Sequence, residues 1–78
     1  MRTEIRLPQA GMGMTEGTVV QWLKKVGDHV ALGETVAVVE TEKVEVELEA
    51  QASGILAEIL VTEGETVPVL SVLAYLEE

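Results

Sequence analysis

The strongest constraint on the fold of this chain is an internal repeat. When the second half is displaced by 37 residues without a gap, Gly54 falls on Gly17 and Gly64 falls on Gly27. The same register aligns Val67 with Val30, Ala74 with Ala37 and Glu77 with Glu40. Self-similarity of this kind indicates that one structural unit is used twice. We therefore expect residues 1–78 to form a single domain of two related halves.

Each half has the pattern of short strands separated by turns. Gly27-Asp28 and Gly64-Glu65 are turn signals between apolar runs, and such breakers recur at short, regular intervals. No segment keeps a 3.6-residue hydrophobic period, so we expect essentially no α-helix. The predicted fold class is all-β: a flattened barrel-sandwich hybrid of two short antiparallel sheets with internal pseudo-twofold symmetry.

Residues 44–50 form the clearest strand and place a lysine at the tip of a hairpin. Apolar residues alternate there with Glu45, Glu47 and Glu49, as in a strand with one buried face. Pairing this strand with residues 36–41 across a two-residue loop, Glu42-Lys43, turns only apolar side chains inward (Ala37, Val39, Val46 and Leu48). Neither loop residue is Gly or Asn, which disfavours a primed turn. We expect a type I turn with Lys43 exposed at its tip.

Composition argues against several classes of function. The formal net charge of −9 disfavours binding to nucleic acid or to anionic membrane surfaces. No apolar run is long enough to span a bilayer, and the chain start lacks the apolar segment of a signal peptide. The chain has no Cys, and its single histidine, His29, has no evident partners for acid–base or nucleophilic catalysis. We expect neither catalytic residues nor a metal site.

The surroundings of Lys43 distinguish it from an ordinary surface lysine. A lysine at a hairpin tip usually serves solubility. This chain has only five basic residues, however, and the acidic neighbours of Lys43 are Glu40, Glu42, Glu45 and Glu47. In the predicted register Glu40 lies opposite Glu45, and like charges in that position are destabilising. A costly arrangement at an exposed tip indicates a surface that another protein recognises.

The segment Val39-Glu40-Thr41-Glu42-Lys43-Val44 resembles a known modification motif. It is similar to the lipoylation motif of lipoyl domains in the dihydrolipoamide acyltransferase components of 2-oxo acid dehydrogenase complexes. There an acidic residue precedes the modified lysine and a small apolar residue follows it, as Glu42 and Val44 do here. The resemblance covers nearly the whole chain, with further matches at Leu7-Pro8, residues 11–17, Trp22, Gly27-Asp28, Val30, Gly33, Glu34, Ala52-Ser53-Gly54, Ile59 and Glu63-Gly64.

This resemblance implies a carrier that has no catalytic residues of its own. Lipoate would be joined covalently to Lys43, with Glu42 and Val44 as flanking recognition residues. The implied partners are a lipoate-attaching enzyme, a thiamine-diphosphate-dependent decarboxylase, an acyltransferase core and a flavin-dependent dihydrolipoyl dehydrogenase. The swinging arm would carry acyl groups and reducing equivalents between their active sites. The chain would be the N-terminal part of a longer acyltransferase, in the cytoplasm or, in a eukaryote, in the mitochondrial matrix.

Two alternatives share the fold. A biotinyl carrier domain usually has its lysine between two methionines, whereas the methionines of this chain are Met1, Met12 and Met14. An unmodified adaptor module of export and membrane-fusion proteins lacks a recognisable lysine turn. Lys43 and its neighbours therefore favour lipoate over both.

The second half departs from the first at Leu70, which the repeat aligns with Gly33. A copied turn would hold Leu70 at positive φ, which is strained for a residue with a Cβ. A different turn would leave Leu70 at negative φ with its side chain packed on the sheet edge. We expect the second outcome, because Val69, Val72 and Leu73 offer apolar surroundings.

Overall fold

The computed structural model describes residues 2–9, 13–42 and 44–78, and within them the chain forms eight β-strands. In chain order they are β1 (Arg2–Arg6), β2 (Glu16–Trp22), β3 (His29–Val30), β4 (Thr35–Glu40), β5 (Glu45–Glu49), β6 (Gly54–Ile59), β7 (Thr66–Pro68) and β8 (Val72–Glu77). No helix occurs in these ranges, and therefore none that is long and apolar enough to cross a membrane. The all-β prediction is confirmed.

The strands form two open, four-stranded antiparallel sheets related by the internal repeat. One sheet has the order β1-β8-β6-β3 and the other has the order β5-β4-β2-β7. A shift of 37 residues converts β2, β3 and β4 into β6, β7 and β8. The first strand, β1, occupies in its sheet the place that β5 occupies in the other sheet. The two orders are then the same, which confirms the predicted pseudo-twofold arrangement.

The short strand of each half pairs with a strand of the other half. β3 pairs with β6, and β7 pairs with β2. The turns before these strands are equivalent: the Gly27 N–H donates to the Leu56 carbonyl at 2.8 Å, and the Gly64 N–H donates to the Val19 carbonyl at 2.7 Å. These crossed contacts interlock the halves, so the domain does not divide into two independent units.

The core between the sheets is aliphatic and follows the same repeat. β4 and β8 have identical burial patterns, with Val36, Ala37 and Val39 buried in one and Leu73, Ala74 and Leu76 buried in the other. Trp22 packs against this core and donates its indole N–H to the Val61 carbonyl at 2.8 Å. Complete burial of a Val or Leu side chain in this core contributes about 1.5–3 kcal/mol to folding.

The expectation for Leu70 is wrong. Its φ is 69°, close to the 83° of Gly33, so the second turn copies the first. The backbone hydrogen bonds are copied too, since Gly33 N–H donates to the Ala50 carbonyl at 2.9 Å and Leu70 N–H donates to the Leu7 carbonyl at 2.7 Å. The Leu70 side chain is 56% exposed. The hydrogen bonds of the turn therefore determine the backbone conformation of Leu70, because its largely exposed side chain is stabilised little by burial.

Candidate functional site

The hairpin of β4 and β5 has the predicted register. Val39 lies opposite Val46, Ala37 opposite Leu48, and Glu40 opposite Glu45 as the last strand pair before the loop. The apolar side chains face inward, Val46 being half-buried and the other three buried, whereas Glu45, Glu47 and Glu49 are exposed. Alternation of apolar and acidic residues thus sets the position of the loop that contains Lys43.

Three hydrogen bonds between Thr41 and Val44 close this hairpin. The Thr41 N–H donates to the Val44 carbonyl at 2.8 Å. The Thr41 hydroxyl donates to the same carbonyl at 3.0 Å and accepts a hydrogen bond from the Val44 N–H at 3.2 Å. Sequence reasoning missed this role of Thr41. The available signal was a hydroxyl residue beside a tight turn, where its side chain can bond to nearby backbone groups.

Lys43 itself, the predicted attachment residue, lies outside the described residues. Its neighbours in the chain are described: Glu42 is exposed, and Val44 is 57% exposed although it is apolar. The structure therefore brings both predicted recognition residues to the surface at the end of the hairpin. The turn type and the exposure predicted for Lys43 stay predictions.

The surface beside the loop is acidic. Its exposed carboxylates belong to Glu40, Glu42, Glu45, Glu47 and Glu49. Among the described residues the ion pairs join Arg2 to Glu58 and Glu77, Arg6 to Glu4, and Lys24 to Glu34, so none neutralises these five groups. Glu40 and Glu45 form the strand pair next to the hydrogen-bonded Thr41–Val44 pair. Since the two kinds of pair alternate along antiparallel strands, Glu40 and Glu45 form a non-hydrogen-bonded pair, in which side chains approach more closely. The predicted like-charge pair is present at the base of the loop.

His29 and Trp22, the other residues considered in the sequence, occupy positions in or beside strands. His29 is exposed at the start of β3, and Trp22 is half-buried with its indole N–H bonded as described above. No group of His, Asp and Glu in the described ranges is arranged to hold a metal ion. Glu42 and Val44 beside Lys43 therefore remain the described residues that carry the candidate site.

Two carboxyl groups have lowered pKa values, and both belong to turns rather than to the hairpin loop. The Lys24 ammonium at 2.8 Å, followed by the Ala31 N–H at 3.0 Å, lowers the pKa of Glu34. The Thr62 N–H and then the Thr62 hydroxyl, both at 2.8 Å, lower the pKa of Glu65. In both cases donors stabilise the charged carboxylate.

Comparison with known proteins gives matches over nearly the whole chain. The biotin/lipoyl family described as "Biotin-requiring enzyme" matches residues 3–76. The chain is 43% identical over 75 residues to the dihydrolipoyllysine-residue succinyltransferase component of the 2-oxoglutarate dehydrogenase complex of Staphylococcus saprophyticus. That alignment covers 96% of this chain and 18% of the relative. The acetyltransferase component of the acetoin cleaving system of Bacillus subtilis is also 43% identical, over 76 residues, which are 97% of this chain and 19% of that protein.

Two solved structures share the fold of this chain. The lipoyl domain of the 2-oxoglutarate dehydrogenase complex of Azotobacter vinelandii is 39% identical with a TM-score of 0.78, and the match covers 96% of this chain and 95% of that domain. The urea carboxylase of Kluyveromyces lactis is 25% identical with a TM-score of 0.82, covering 99% of this chain but 6% of the enzyme. Backbone similarity to the two structures is therefore nearly equal, whereas sequence identity is higher to the lipoyl domain.

Proposed function

The chain belongs to the biotin and lipoyl attachment family, as a lipoyl domain, and on this premise we propose that it carries lipoate on Lys43. The proposal rests on one observation above all: the β4–β5 hairpin brings Glu42 and Val44, the two chain neighbours of Lys43, to the surface. An exposed turn is where an attaching enzyme can reach a lysine amine without unfolding the domain.

The residues at the hairpin fit lipoate better than biotin. Biotinyl domains resemble one another in the two methionines beside the lysine, and neither Glu42 nor Val44 is a methionine. The chain also has no Cys, so any thiol or disulfide chemistry must come from an attached group. When bound, lipoate supplies a dithiolane that is reduced, acylated and reoxidised by other proteins.

In this role the domain contributes position and recognition. The paired strands β4 and β5 fix both ends of the loop, and the hydrogen bonds between Thr41 and Val44 close the hairpin. The acidic side chains on β5 give the tip a charged surface that a partner can read. Tethering raises the effective concentration of the carried group at successive active sites, which is the physical advantage of a carrier.

We further propose that the domain works as part of a longer acyltransferase chain, as its N-terminal portion. The support for a longer chain is that this domain spans only about a fifth of the length of the curated relatives it matches. The partners would be a thiamine-diphosphate-dependent decarboxylase, the acyltransferase core, a flavin-dependent dihydrolipoyl dehydrogenase and a lipoate-attaching enzyme. Those partners would catalyse the reactions. The protein would be located in the cytoplasm or, in a eukaryote, in the mitochondrial matrix.

The choice of cofactor is tested with two ligases. The purified, unmodified domain is incubated with a lipoate ligase, lipoate and ATP, and separately with a biotin ligase, biotin and ATP, and its intact mass is measured. We expect the mass to rise by one lipoyl group in the first reaction and to stay unchanged in the second. Biotin uptake without lipoate uptake would assign the domain to the biotinyl carriers. No uptake in either reaction would favour an unmodified adaptor module.

A further inference from the structure

The Thr41 side chain makes an unusual contribution to the candidate site. In a two-residue hairpin, backbone N–H and carbonyl groups of the residues flanking the loop bond to each other. Here the Thr41 N–H and the Val44 carbonyl form one such bond at 2.8 Å. The Val44 N–H instead donates to the Thr41 hydroxyl at 3.2 Å, so a side chain serves as its acceptor.

The same hydroxyl also donates a hydrogen bond. It points its proton to the Val44 carbonyl at 3.0 Å, and a threonine hydroxyl can donate and accept at once. One side chain therefore holds both backbone groups of Val44. We call these two hydrogen bonds of the Thr41 hydroxyl the clamp. Only Glu42 and Lys43 lie between Thr41 and Val44 in the sequence, so the clamp joins the two residues that flank the loop.

No other side chain in the described part of this hairpin bonds across the turn. The Glu42 and Val44 side chains are exposed, and β4 and β5 are otherwise joined by backbone pairing. Threonine is also suited to the end of a strand, since branching at Cβ restricts its rotamers and favours extended backbone. The clamp is therefore held by a stiff side chain rather than by a flexible one.

We propose that Thr41 is a positioning residue for the modification of Lys43: its hydroxyl holds the two residues that flank the loop, Thr41 and Val44, in the arrangement that the attaching enzyme accepts. This inference rests on the proposed function. It assigns to Thr41 no contact with the reacting atoms. Its effect is to reduce the number of backbone conformations in which the lysine is offered, which lowers the entropy that must be lost on docking.

The test compares Thr41→Val, which is nearly isosteric and lacks the hydroxyl, with Thr41→Ser, which keeps it. Thr66→Val is the matched control, because Thr66 lies on another strand of the same sheet and its hydroxyl bonds to Thr18 at 2.7 Å. Two readouts are needed for each variant. Amide hydrogen exchange of Val44 is measured in the unmodified protein, and kcat/KM for lipoylation is measured with a lipoate ligase.

We expect Thr41→Val to accelerate exchange at Val44, to leave exchange of core amides unchanged and to lower kcat/KM by about five- to tenfold, the size set by one or two modest hydrogen bonds. Thr41→Ser should recover most of both losses, and Thr66→Val should resemble the wild type. If Thr41→Val does not fold, the Ser variant and a Thr41→Ala variant are compared in the same way.

Unchanged exchange at Val44, unchanged lipoylation by Thr41→Val, or failure of Ser to rescue would each overturn the proposal. A wild-type domain that takes up no lipoate contradicts the proposed function instead. In that case the exchange measurement still decides whether Thr41 holds the turn, so the two failures are distinguishable.

Discussion

Among the described residues, Leu70 is the only residue other than glycine whose backbone φ is positive. Its N–H donates to the Leu7 carbonyl, and its own carbonyl accepts from the Arg6 guanidinium at 2.8 Å, so the conformation is fixed from both sides. A residue with a Cβ pays about 1–2 kcal/mol for this backbone conformation. The largely exposed side chain recovers little of that cost by burial.

Replacing Leu70 with Gly should therefore stabilise the domain. Relief of strain exceeds the entropy that glycine adds to the unfolded chain, and we expect a net gain of about 0.5–1 kcal/mol in the free energy of unfolding. The measurement is the urea midpoint of each variant. Leu70→Ala, which keeps the Cβ and thus the strain, is the control and should give no gain. A lower midpoint for Leu70→Gly would mean that the side chain contributes more by packing than it costs in strain.

Glu65 gives the domain a pH-dependent contribution to stability. Because donors from Thr62 lower its pKa in the folded state, the stabilisation is complete above the pKa of the unfolded chain and disappears as the pH falls through the folded value. Glu65→Gln should lower the denaturation midpoint at neutral pH and converge with the wild type in acid. Glu16→Gln, at an exposed position of β2, measures the effect of simply removing one negative charge. A difference from the wild type that is independent of pH would contradict this account.

At the scale of the element, the β4–β5 hairpin was predictable in register but not in its closure. Alternating apolar and acidic residues specify which positions pair, because a slip by one residue would bury Glu45 and Glu47 and expose their apolar neighbours. The clamp made by Thr41 is a matter of one rotamer and one backbone geometry. Hydrophobic periodicity contains no information about either. A hydroxyl residue beside a tight turn indicates that such bonds are possible, but the partners are known only from the three-dimensional structure.

The flanking residues of this hairpin should decide which ligase accepts the domain. Replacing Glu42 and Val44 together by Met is expected to raise biotinylation and lower lipoylation, changing their ratio by about tenfold, which corresponds to about 1.4 kcal/mol of discrimination. Initial rates with each ligase give that ratio. The control carries Met at Glu16 and Val20, two exposed positions on β2, and should keep the wild-type preference. If both ligases ignore the swap at the hairpin, recognition lies elsewhere on the domain.

At the scale of the whole molecule, the repeat predicted two related halves but not how they interlock. Glycines in register marked equivalent turns, and the structure repeats them in hydrogen bonds and in the register shifts after Val19 and Leu56. The exchange of β3 and β7 between the sheets, and the use of β1 as the counterpart of β5, depend on long-range pairing. Local patterns cannot specify such pairings, because short strands of similar composition are compatible with several partners.

The two halves also differ in how an edge strand is connected to its neighbour. The hairpin between β4 and β5 has no covalent counterpart, because β8 and β1 lie at opposite ends of the chain. One half of a nearly symmetric scaffold therefore joins β5 to its neighbour β4 by a hairpin, whereas the equivalent pair β1 and β8 is distant in sequence.

The central claim, that Lys43 alone carries lipoate, is tested most directly by locating the modification. The lipoylated domain is digested and its peptides are sequenced by mass spectrometry, with a Lys43→Arg variant treated in the same way. We predict that all of the lipoyl group is found on Lys43 and that the folded variant takes up none. Lipoate on Lys24 or Lys25, or uptake by Lys43→Arg, would contradict the account.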